Sequence, residues 1–121
     1  MLYAEKWNFM EVGMSIKESD WKVFCEIKNE AIQLYCKRQV NEVIKTITDE
    51  SELAGERFHF MCQYSKTSEK QMKLIFDGHS RNKAFIQLML MCEENLVAPE
   101  QFERLSDEFK KDIKSLLERR A

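Results

Sequence analysis

The stretch Arg81–Glu94, RNKAFIQLMLMCEE, constrains this chain more than any other part of it. From Ala84 to Cys92 only Gln87 is polar. At about 100° per residue, Ala84, Phe85, Ile86, Leu88, Met89, Leu90, Met91 and Cys92 cover most of a helix circumference. Lys83, Gln87 and Glu94 remain as a narrow polar stripe. A helix apolar on so many sides has to sit inside a core with other helices around it. A membrane span needs roughly 20 apolar residues, and this run is far shorter. The pattern predicts a central helix over 81–95 with the rest of the fold built around it.

The rest of the chain supplies helices to do the surrounding. Only three Gly and one Pro occur in 121 residues. So few turn residues fit a small number of long helices and disfavour a many-stranded sheet. The expected fold is all-α: an irregular or orthogonal bundle of about five helices over 15–121, preceded by an extended N-terminal arm over 1–14. In that arm Trp7 and Phe9 share one side of an extended chain. Ser15 and Glu18 have the spacing of a capping box, and a helix is predicted from there to about Thr48. Its apolar stripe is not constant. Trp21, Phe24, Ile27, Ala31, Leu34 and Tyr35 define one face; Cys36, Val40, Val43, Ile44 and Ile47 define another, rotated by more than a third of a turn. Supercoil drift is only about 20° per heptad, so either the helix bends near Tyr35–Lys37 or its halves pack against different bodies.

Asp49 or Ser51 can cap a second helix. From Leu53 one helical phase runs unbroken to Phe76, with Leu53, Ala54, Phe58, Phe60, Met61, Tyr64, Met72, Ile75 and Phe76 inside an arc of about 160°. Arg57 falls on this apolar side, near Tyr64, Ser68 and Gln71, either reaching out from its edge or joining a polar seam. Gly78 suits the left-handed position after a helix end, Ser80 can cap the central helix, and Asn95 closes it. Pro99 starts a short helix to Leu105. Ser106 caps a last one, whose stripe is Phe109, Ile113, Leu116 and Leu117.

Net charge is −2 with 33% charged residues of mixed sign, which argues against a dedicated nucleic-acid or membrane-surface binder. Cys25, Cys36, Cys62 and Cys92 are far apart with no CxxC spacing, and read as buried free thiols of a reducing cytoplasm. No basic region followed by an apolar run opens the sequence, so no secretory signal is expected.

The least helix-like interior stretch is Asp77–Lys83, DGHSRNK. Across Lys66–Lys83 there are five Lys or Arg against two acids. His79, Ser80, Arg81 and Lys83 therefore form a candidate anion site at a helix start. The helix–turn–helix likeness of this region fails as a DNA reader, because beyond Lys83 the second helix offers no polar face for base edges. Glu56 and His59 have the Glu-x-x-His spacing of di-iron bundles, but those sites need two such motifs and two more carboxylates, so no metal is expected. No Gly-rich phosphate loop, Ser/His/Asp set or Cys/His set can be assigned, and no cofactor or catalytic residue is expected. The expected function is non-catalytic: protein–protein contact, with a homodimer as the expected assembly and any further protein partner unspecified. The candidate interface residues are Trp7, Phe9, Leu34, Val40, Val43 and Ile47. The alternative is a module binding an anionic ligand or nucleic acid at the 77–83 turn.

Overall fold

A computed structural model describes residues 16–120. Among the described residues the chain is all-α: α1 (Glu18–Ile47), α2 (Ala54–Phe76), α3 (Ala84–Glu93), α4 (Pro99–Glu103) and α5 (Asp107–Arg120), with one 3-10 turn at Arg81–Lys83 before α3. The arm residues Trp7 and Phe9, and Ser15 of the expected capping box, lie outside the described residues. Glu18 is the first residue of α1, not its third; Lys17 stands at the cap position without a side-chain cap. Glu18 and Asp20 in the first turn instead complement the positive end of the helix dipole.

α1 is one unbroken helix of 30 residues, about 45 Å long. The rotation of its apolar stripe is met by two different neighbours. Phe24, Ile27, Ala31 and Tyr35 in its first half are buried in the core. Its second half lies along α2. The two helices run antiparallel, since Tyr35 reaches Ser68, Gln39 reaches Tyr64, and Arg57 reaches Ile47.

The hairpin link is closed by Asp49, whose Oδ1 accepts from the Ser51 backbone N–H and hydroxyl. These bonds hold the Asp49 carboxyl below its ordinary range. Neither Asp49 nor Ser51 caps α2, because the helix begins later, with Leu53 at its cap. The single phase from Leu53 to Phe76 corresponds to one continuous helix, yet only Ile75 and Phe76 on it are buried.

α3 touches α1, α2 and α5. Its Ala84, Phe85, Gln87, Leu88, Met89 and Met91 are buried. Phe85 stacks on Phe109 of α5 at 4.4 Å between ring centroids, and Tyr35 meets Phe76 edge-on at 6.0 Å. Each fully buried side chain of this size stabilises by about 1.5–3 kcal/mol. The helix is shorter than expected, because its first turn, 81–83, is 3-10. Ser80 makes no side-chain cap.

At the other end of α3, Asn95 is left-handed (φ 56°), and the Leu96 and Asn95 N–H groups donate to the carbonyls of Met91 and Cys92. That is a Schellman closure built on Asn in place of Gly. Pro99 opens α4, where Gln101 Oε1 accepts from the Ala98 N–H. α4 ends at Glu103, two residues before the expected limit. Ser106 caps α5 through the Phe109 N–H. Asp20, buried on α1, accepts from both the N–H and the hydroxyl of Ser106 at 2.7 and 2.6 Å, pinning the start of α5 to the start of α1.

Candidate functional site

Two regions carry chemistry beyond the core. The first is the distal half of the α1–α2 hairpin. Arg38 donates to the carbonyls of Glu94 and Asn95, and Gln71 donates to Glu94. Beyond Arg38 on α1 and before Gln71 on α2, the side-chain hydrogen bonds leaving each helix go only to the other helix, among the described residues. Gln39 Oε1 accepts from the hydroxyls of Tyr64 and Ser68, and the Tyr35 hydroxyl donates to the Ser68 carbonyl. Burial pushes the Tyr35 hydroxyl above its ordinary range, with Tyr64 and Glu94 adding to the shift. Arg57, half-buried, donates to the Ile47 carbonyl at the end of α1, while its Nε–H has no hydrogen-bond partner among the described residues. Arg57 thus belongs to a polar seam, and the seam is the α1–α2 join.

This join floors a mostly apolar groove of about 430 Å³. Cys36, Val40, Val43 and Ile44 of α1 form one wall; Tyr64, Ser65, Glu69 and Met72 of α2 form the other. Val40 and Ile44 are 55% and 50% exposed, and Phe58, on the groove side of α2 by helical phase, is 64% exposed. Of the expected interface residues, Val40 and Val43 come together here. Ile47 is half-buried beside the Arg57 contact. Leu34 lies about 120° around the helix from Val40, off the groove. Ile44 completes the α1 wall.

The second region is the turn between α2 and α3. Gly78 is left-handed (φ 80°), and a Cβ there would meet the Lys83 Nζ at 2.5 Å. The Arg81 guanidinium pairs with Glu18 at 2.6 Å and lies over the Trp21 ring at 5.1 Å. The His79 ring packs on Trp21 at 4.9 Å. His79, Arg81 and Lys83 are exposed, as is Ser80, but the turn is held inward by a buried cation. Lys28 Nζ donates to the Gly78 carbonyl at 2.7 Å and to Gln87 Oε1 at 2.9 Å, and lies 3.4 Å from His79 Nδ1. Gln87 Nε2 donates onward to the carbonyls of Asp77 and Gly78. On the narrow polar stripe of the helix, Gln87 is buried, 3% exposed, with its amide oxygen and nitrogen both hydrogen-bonded.

Burial pushes the Lys28 ammonium below its ordinary range; Cys25 and Asp77 oppose the shift, and Lys83 adds to it. His79 Nε2 lies 3.7 Å from Cys25 Sγ. The sequence alone offers no Cys/His set, because these two residues are 54 positions apart. The signal for Lys28 was present: it falls in the buried row Phe24, Ala31 and Tyr35 at helical spacing, where a charge requires partners.

Among the described residues, no group of three or more His, Cys, Asp or Glu could hold a metal ion, and no helix is long and apolar enough to cross a membrane. His59 is exposed on α2. The four cysteines are free and half-buried. No family model, no curated protein and no solved structure matches the chain.

Proposed function

We propose that this chain is a non-catalytic helical protein that works by protein–protein contact, pairing with a second copy of itself through the distal half of the α1–α2 hairpin. The observation that carries the reading is the groove and the ridge beside it. A two-helix layer has its polar groups joined across its floor and its Val40–Ile44 ridge exposed at i, i+4 spacing. Such a face is half of a four-helix bundle. The ridge of one copy fits the groove of the other, so the same patch serves on both sides of a twofold axis. Glu69 on one wall, joined there to Lys73, and Lys37 one helical turn before Val40 on the other put charged groups at both rims around an apolar centre, the layout of a pairing face. Free thiols spaced far apart support a reducing cytoplasm as the setting.

Pairing makes stability depend on protomer concentration. The midpoint of thermal unfolding should rise as the protein is concentrated from about 1 to about 100 μM, each tenfold step adding up to about 1.4 kcal/mol of association free energy. A midpoint independent of concentration over that range would count against the proposal.

A further inference from the structure

We infer that Cys25 is a modification site, a thiol set by His79 and Lys28 to react with peroxides and small carbon electrophiles ahead of the other three cysteines. The Lys28 Nζ faces the Gly78 carbonyl, Gln87 Oε1 and His79 Nδ1. All three can accept a hydrogen bond, and an ammonium can only donate. His79 Nδ1 is therefore the acceptor, the ring proton is on Nε2, and that N–H faces Cys25 Sγ at 3.7 Å. Lys28 is buried and, among the described residues, has no carboxylate within salt-bridge distance. The ring N–H at the sulfur and the buried ammonium behind the imidazole give Cys25 the electropositive, partly exposed setting of reactive cysteines.

Access is provided by the position. Cys25 is half-buried at the edge of the core, with exposed Lys22, Glu26, Asn29 and His79 around it. The other sulfurs lack this setting. Cys25 alone has a side-chain hydrogen-bonding partner among the described residues, and burial pushes the Cys92 thiol up to about 11. With a peroxide, the sulfur attacks one oxygen and the O–O bond breaks. The sulfur is oxidised by two electrons to a sulfenic acid, and the departing hydroxide takes the thiol proton to leave as water. With iodoacetamide, the S–C bond forms as C–I breaks, iodide leaves and the thiol proton passes to buffer.

The test is limited alkylation of the native full chain with iodoacetamide, and in parallel hydrogen peroxide followed by a dione trap for sulfenic acid, each read by peptide mass mapping. Rates for each cysteine are divided by those of the same chain in denaturant, which removes local sequence effects. Cys25 should react several-fold faster than Cys36, Cys62 or Cys92 with both reagents. His79→Phe keeps a ring against Trp21 and Phe24 and removes the N–H, so the lead of Cys25 should vanish; His79→Gln, a second variant that retains a donor, should keep part of it. Another cysteine reacting first in the wild type, or an undiminished Cys25 rate in His79→Phe, would overturn the inference.

Discussion

The buried Lys28–Gln87 pair gives a quantitative prediction. Lys28→Met keeps the length of the side chain, so little cavity forms, but Gln87 Oε1 loses its donor. The Gly78 carbonyl still receives Gln87 Nε2, and exposed His79 can turn to water. The main cost is one buried orphan acceptor, about 1–3 kcal/mol. Gln87→Leu removes one of the three acceptors around the ammonium, a charge-assisted bond of about 1.5–3 kcal/mol. In the double variant neither side chain is left facing an empty partner, and the Asp77 and Gly78 carbonyls that lose these donors lie on exposed residues of the turn and can turn to water. Its loss should therefore fall short of the sum of the single losses by about 1–3 kcal/mol, the range for groups in one network. Urea unfolding of the four proteins, with matched slopes, measures this coupling.

The same pair carries a pH signature. Lys28 sits below its ordinary 10.5 when folded, so between the lowered value and 10.5 the unfolded chain holds more protons. Wild-type stability should rise with pH through that window relative to Lys28→Met, and the burial cost is fully present below it. Additivity within about 0.5 kcal/mol, with parallel pH profiles, would refute a coupled buried cation.

Two further perturbations bear on the core and the turn. Leu88 is 0% exposed, so Leu88→Ala should cost about 2–5 kcal/mol; a loss below about 0.5 kcal/mol in chemical denaturation would place α3 at the surface. If the 77–83 turn binds anions, a phosphate ion has to compete with Glu18 for Arg81. Glu18→Gln should then increase the stabilisation by phosphate seen in thermal melts, and Arg81→Ala should abolish it; equal phosphate effects in all three proteins would leave the turn with a purely structural role.

The helices were largely legible because local pattern decides them. The unbroken phase of Leu53–Phe76, the left-handed Gly78 and Asn95, Pro99 at a helix start and Ser106 as a cap all follow from neighbours within a turn or two. Errors arose where a distant residue decides the outcome. Gln87 reads only as part of a narrow polar stripe until Lys28, 59 positions earlier, arrives beside it. Among the described residues, the Asp20 carboxylate is met by Ser106, 86 positions away. Ser80 looks like a cap, but the 3-10 turn takes the place of the first helical turn. Along α1 the first half enters the core and the second half lies along α2, where Val40 and Ile44 stay half-exposed. Which of the α1 residues line the groove depends on where α2 lies, and that leaves Leu34 off the groove while adding Ile44.

Sedimentation velocity over micromolar to hundred-micromolar concentrations, on wild type and on Val40→Glu and Ile44→Glu, tests the pairing face most directly. Both substitutions fall on half-exposed positions, so circular dichroism should show unchanged helix content. The wild type should sediment as a dimer at the higher concentrations, and each variant as a monomer. A wild type that stays monomeric throughout, or variants that dimerise as the wild type does, would contradict pairing through the α1–α2 groove.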